Sequence, residues 1–285
     1  LLEPVKAGWR DAKSLLVVAH DGLAQLPFSL LVTEPTDLPD EGGALFGNYR
    51  TVPWLVRTHA VTALPSVASL ASLRALPPTG AGRRAFVGFG DPYFNIEQAA
   101  AADLERPVKT ASLTSRGVFK VRGTPIKLRS APKTRGVSTA DLGKLPRLPD
   151  TKDEVRSIAI AMKADLARDV FIGRKASEAN VKSLDLSSYK VLGFATHGLV
   201  PGDLDGLLQP ALALSSPQVS GSEGDGLLTM NEILSLKLNA DWVVLSACNT
   251  AAGGEAGAEA FSGLGQAFFY AGTRALLLSN WPVET

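Results

Sequence analysis

The sequence predicts an α/β fold built on a mainly parallel sheet. Three observations carry that expectation. Short apolar runs of strand length alternate with amphipathic stretches of helical spacing, the order that lays helices over both faces of a parallel sheet. Two of those runs, YKVLGFATHG and DWVVLSACNT, are apolar almost throughout, as strands covered on both faces are. Each ends in a side chain with chemistry, His197 in the first and Cys248 in the second, followed by small residues.

Taken in order, the elements begin with a strand over about Leu15 to Ala19, a turn at Asp21–Gly22 and a second apolar run near Leu26 to Val32. An extended HAVTALPS segment then enters a helix around Ser66 to Leu76. Pro77–Pro78 and the glycines to Gly82 punctuate the chain before AFVGFG, a short buried strand ended by Asp91–Pro92. From about Asn95 to Asp150 the character changes to proline, glycine and basic residues. This stretch reads as a basic surface insertion, and VFKVRGTPIKLR within it alternates like a hairpin turning at Gly123–Thr124–Pro125.

Regular order returns with TKDEVRSIAIAMKA, a helix capped by its threonine, and with DVFIGRKAS, a strand running into the cap of SEANVKSL. After YKVLGFATHG, the residues up to LLT read as a hairpin or loop projecting beside the histidine. The helix TMNEILSLKL leads to the cysteine strand. A Gly- and Ala-rich loop, the helix AEAFSGLGQAFFYAG ended by Gly272 and the strand RALLLSNW complete the chain. Gly253, Gly254 and Gly257 are expected to let that loop adapt around a substrate or partner.

Gross properties narrow the function. With 285 residues and 45% hydrophobic content the chain can bury a proper core. Lys and Arg total 29 against 28 acidic residues, so a net charge of +1 supplies no general attraction to nucleic acid or to an anionic membrane. No apolar stretch approaches the roughly 18 to 20 residues that span a bilayer, and the N-terminus lacks the blocks of a secretory signal. One cysteine forms no internal disulfide, which fits a reducing, cytoplasmic compartment. The chain opens on Leu1 and stops soon after an apolar strand, as a piece of a longer protein would.

The motifs exclude more than they admit. GFGDPYF does not complete GxGxxG, the glycines after Cys248 lack the Lys–Ser/Thr of a phosphate loop, and no GxSxG elbow appears. Cysteine and histidine are too few for a zinc site. No cofactor or metal is therefore expected.

What remains is the pair His197 and Cys248, 51 residues apart in sequence. In an open parallel sheet, functional groups gather at the carboxyl ends of neighbouring strands, so the two can meet there as a base and a nucleophile. A free thiol, with a pKa near about 8.5, needs such a neighbour at neutral pH. Attack on an amide also builds charge on oxygen, which backbone N–H groups stabilise. Gly198 and Cys248 are the expected donors, the glycine being free to aim its own N–H into the site. His20 and His59 read as structural or surface residues, and Asp203 and Asp205 are near His197 in sequence only.

The combination of ATHG, PALAL, LLTMNEILSLKLNADWVVLSACNTAAGG, FFYAGTRALLLSNWPV, GLAQLPFSLL and LPSVASL strongly resembles the CHAT family. Its members are caspase-like cysteine proteases related to separase and the caspases, often joined to tetratricopeptide repeats. The resemblance implies a caspase-like three-layer sandwich over residues 81–285, with residues 1–80 forming an N-terminal accessory, pseudo-caspase-like lobe. It implies a Cys–His dyad with no third member, a protein or peptide substrate, and a bacterial setting. It also implies that SNWPVET lines the pocket for the residue before the scissile bond, with Asn280, Trp281 and Val283 as its wall. The resemblance further implies that Glu284 reads a basic side chain there, a carboxylate being suited to a guanidinium. No period of about 34 residues marks a repeat domain within the chain, so a regulatory repeat would precede Leu1 or a partner protein would take its role. Two other readings stay open: a catalytically silent scaffold of the same fold, and a small-molecule acyl hydrolase.

Overall fold

A computed structural model describes residues 1–19, 23, 26–38, 47–64, 66–75, 80, 82–105, 139–204, 206–248 and 255–278. They fall into a small compact unit within residues 1–77 and a larger one from residue 78 onward.

The small unit is built on two parallel strands, β1 (Ser14–Val17) and β2 (Ala60–Ala63), in register from Ser14↔Ala60 to Val17↔Ala63. One turn of helix, α1 (Lys6–Trp9), precedes them, and α2 (Val67–Ala75) follows. The apolar run at 26–32 forms a 3-10 turn over Phe28–Leu30 and a single bridge from Val32 to Trp54 instead of a strand. Pro27 explains part of this, since it offers no N–H to a ladder. His59 is structural: its Nδ1 lies 2.7 Å from the Thr58 hydroxyl, its Nε2 lies 3.2 Å from the Trp9 carbonyl, and its ring packs edge-on against Trp9.

The large unit is a seven-stranded mixed sheet with helices. Its parallel part runs β4 (Val170–Ile172), β3 (Arg84–Gly90), β5 (Tyr189–Leu199), β8 (Trp242–Cys248) and β9 (Leu276–Leu278). β5 is the central strand, buried along its length except at Lys190. That burial accounts for its near-continuous apolar sequence. The residues read as a projecting hairpin extend the sheet instead: β6 (Ala211–Ala213) pairs antiparallel with Gly198 and Leu199 of β5, and β7 (Leu227–Thr229) pairs with β6.

Alternation along the strands divides the core between two faces. Phe86 of β3 and Val191 and Ala195 of β5 meet Val155 and Ala159 of α4 (Asp150–Ala161). Val87, Phe89, Leu192, Phe194, Val243 and Leu245 face the other way. They share a cluster with Val181 of α5 (Glu178–Ser183), Ile233 of α7 (Met230–Ser235) and Leu264, Ala267 and Phe268 of α8 (Glu255–Tyr270). Each fully buried side chain of this size contributes about 1.5–3 kcal/mol relative to exposure. The result is a mixed α/β architecture with a mainly parallel sheet between helical layers, compatible with a caspase-like fold.

Local chemistry fixes several helix starts. Ser177 accepts from the Asn180 N–H and caps α5. Thr229 and Glu232 form a reciprocal capping box on α7, and Gly272 ends α8 at φ +111°. Thr151 is not the cap that the sequence suggests. It lies inside α4, fully buried, its hydroxyl donating to the Leu148 carbonyl at 2.7 Å and accepting from the Asp91 N–H at 2.7 Å.

The segment read as a surface insertion carries packed structure at both ends. Asn95 caps α3 (Ile96–Leu104), which buries Ala99, and the chain from 139 re-enters as a 3-10 turn with Leu142, Leu145 and Leu148 in the core. The hairpin expected between them lies outside the described residues.

Candidate active site

β5 and β8 pair in parallel over seven positions, and the last pair is His197 with Cys248. Residues at one register position of neighbouring parallel strands belong to the same face of the sheet. For His197 that is the face covered by α4, because Val191 and Ala195 of the same strand, which share its parity, pack there. Both residues stand where the pairing of β5 with β8 ends, beyond the carboxyl ends of β3 and β4.

His197 is fully buried. Its Nε2 lies 2.8 Å from the carbonyl oxygen of Pro146. A carbonyl can only accept, so Nε2 carries the proton, and the neutral ring keeps its basic lone pair on Nδ1. The ring of Phe94 covers the imidazole at a centroid distance of 5.6 Å and a tilt of 44°.

The segment that carries this carbonyl is held on both sides of Pro146. On one side, the Gln98 side chain donates to the Leu145 carbonyl at 2.7 Å and the Asn95 side chain donates to that of Gly143 at 2.7 Å. On the other, Arg147 places Nε and Nη2 each 2.8 Å from the two carboxylate oxygens of Asp91, while its remaining edge meets Glu105. The guanidinium also lies 4.9 Å over the ring of Tyr93, within cation–π range.

Asp91 follows the last residue of β3 and is wholly buried, with φ at +48°. That left-handed conformation is uncommon outside glycine, although Asp tolerates it better than most residues. Burial pushes its carboxyl above the usual carboxylate range despite Arg147. Arg147 in turn holds Glu105 below its ordinary value, and the bond to Asp91 raises the guanidinium further.

Other expected residues fall less simply. Gly198 is a strand residue paired with Leu212, and its φ is not positive, so backbone freedom is not what glycine provides there. Cys248 closes β8. Gly257 belongs to α8 and not to the preceding loop. Asp203 is used locally, its carboxylate accepting from the Val200 N–H at 2.8 Å. Asn280, Trp281, Val283, Glu284, Gly253, Gly254, His20 and Asp205 lie outside the described residues. Pro146, Phe94, Arg147 and Asp91 were missed. Only Asp91 had a sequence signal, as the residue that stops AFVGFG.

Among the described residues no group of His, Cys, Asp and Glu could hold a metal ion, and no helix is long and apolar enough to cross a membrane. A mainly parallel sheet that brings a histidine and a cysteine to one register position, between helical layers, is compatible with the caspase-like class of α/β folds. The match to the CHAT domain runs over residues 1–285, the whole chain, and the protein belongs to that caspase-like family. No curated protein matches the chain.

Proposed function

We propose that the chain is a caspase-type cysteine endopeptidase module that acts on protein substrates. The observation that carries this reading is the pairing of His197 with Cys248 at the last register position of β5 and β8. The bond from Nε2 to Pro146 supports it, because it leaves Nδ1 as the proton acceptor of the neutral ring.

In the proposed reaction the imidazole takes the thiol proton and the Cys248 sulfur attacks the scissile carbonyl carbon. The resulting oxyanion is met by the backbone N–H groups of Gly198 and Cys248. Collapse breaks the C–N bond, and the imidazolium returns its proton to the leaving amine. Water, deprotonated by the same ring, then hydrolyses the thioester and restores the thiol. The Pro146 carbonyl keeps the ring in one orientation through both halves.

Substrate choice is assigned to the residues after β9. Asn280, Trp281 and Val283 form the proposed wall, and Glu284 attracts Arg or Lys before the cleaved bond. A repeat domain preceding the chain, or a regulatory partner, is the proposed control on access, in a bacterial cytoplasmic setting.

The test combines peptide-library cleavage with an acyloxymethyl-ketone probe. Label at Cys248 that disappears in His197→Ala, with products ending in Arg or Lys, is the expected result. Cleavage after acidic or large apolar residues would remove the role of Glu284. Absence of labelling under all activating conditions would favour a silent scaffold, and turnover of thioesters without peptides would favour an acyl hydrolase.

A further inference from the structure

Nε2 of His197 donates to a backbone carbonyl, and a carbonyl in a loop is no better placed than its peptide plane. The Pro146 carbonyl shares its peptide unit with the nitrogen of Arg147, so whatever fixes Arg147 also fixes that plane. The Arg147 side chain is 11% exposed, and its planar fork grips a carboxylate that is wholly buried. Paired guanidinium–carboxylate bonds of this kind are strong and directional. The carboxylate is presented by the left-handed turn at Asp91, which is held in its turn by the Thr151 hydroxyl.

We infer that Arg147 is a positioning residue: through Asp91 it holds the Pro146 carbonyl against Nε2 of His197 and so selects the tautomer whose basic nitrogen is Nδ1. Its effect on turnover rests on the peptidase reading, but its effect on the ring does not. The chain of contacts runs from the carboxyl end of β3, through Asp91, Arg147 and Pro146, to the carboxyl end of β5. It links the neighbouring parallel strands β3 and β5 by side chains where their ladder has stopped. Without the fork, Asn95 and Gln98 still anchor residues 143 and 145, so the segment stays in place while the peptide at 146 gains freedom to rotate.

The experiment compares the 285-residue chain with its Arg147→Met and Arg147→Met/Asp91→Asn variants. The double variant removes both charges, so no buried carboxylate is left unpaired, and Asn tolerates the left-handed conformation at 91. Fold is checked by circular dichroism and urea midpoint. The principal readout is the long-range 1H–15N spectrum of the histidines at a pH where the rings are neutral, with His197 assigned by its absence in His197→Ala. The wild type is expected to show a protonated Nε2 and a bare Nδ1, and each folded variant a mixture of tautomers. If peptides are cleaved, kcat should fall by roughly 10- to 100-fold with KM little changed, as for other small misplacements of a reacting group. An unchanged single tautomer in a folded variant overturns the inference. A tautomer change in a protein whose wild type cleaves no peptide upholds it and counts against the peptidase reading instead.

Discussion

Alanine at position 193 tests how tightly the sheet is closed beneath the site. Gly88 and Gly193 are register partners on β3 and β5, and the ring of Phe86 lies across both. A methyl group at 193 would stand 2.9 Å from Cε2 and Cζ of that ring, with nothing else closer than 4.0 Å. Ordinary carbon contacts are about 3.5–4.0 Å, so the ring must retreat by roughly half to one ångström. Phe86 is fully buried, in the cluster that also holds Val155 and Ala159 of α4, and overpacking of this kind costs about 1–3 kcal/mol. In urea denaturation followed by circular dichroism, Gly193→Ala should lose that amount. In a Phe86→Leu background, which takes away the ring, the same substitution should cost close to nothing, giving a coupling within the range of about 0.5–3 kcal/mol found for touching residues. Gly88→Ala is the internal control. Its methyl would also meet Val155 Cγ1 at 2.5 Å, so its cost should persist in the Phe86→Leu background. An equal penalty for Gly193→Ala in both backgrounds would refute this account of the packing.

Two further outcomes follow from the charges. Asp169 is buried, and its carboxyl lies below the usual value of about 3.9, chiefly through the hydrogen bond from Arg168 and then that from Tyr189. A lowered carboxyl contributes stability that is complete above its unfolded value and is lost as pH falls through its folded one. The urea midpoint should therefore drop below about pH 4, and Asp169→Asn should flatten that slope while lowering the midpoint at pH 7; an unaltered slope would contradict it. Glu232 accepts from the Thr229 N–H at 2.8 Å and from its hydroxyl at 2.7 Å, and binds Lys182 at 2.6 Å, so Glu232→Ala should cost about 0.5–2 kcal/mol as lost caps do. Thermal unfolding would show this as a shift of about 2–4 °C per kcal/mol.

The sheet was legible because burial on both faces writes itself into composition. YKVLGFATHG and DWVVLSACNT read as central strands, and they pair directly as β5 and β8. The histidine and cysteine were legible for the same reason, since each interrupts an apolar run with a reactive group. Pro146 was not, because a carbonyl acceptor leaves no mark on residue type. The composition of residues 95–150 concealed it further, since the basic and proline-rich character there hides Leu142, Leu145 and Leu148, which anchor the turn. Arg147 reads as one more surface cation until Asp91, 56 residues earlier, is brought beside it. Thr151 was misread for a related reason. A threonine near a helix start signals a cap, yet Pro149 and Asp150 shift the helix earlier and free its hydroxyl to bridge Leu148 and Asp91. β6 and β7 are three residues each, too short to show a period.

The central claim is that His197 activates Cys248, and the rate of iodoacetamide alkylation against pH measures it most directly. The chain has a single cysteine, so the modification needs no deconvolution. A thiol without a partner reacts as its thiolate forms near about pH 8.5. The account predicts a second, His197-dependent population of reactive thiolate below pH 7 in the wild type, and a single ionisation near the ordinary thiol value in His197→Ala. Superimposable curves for the two proteins would contradict it.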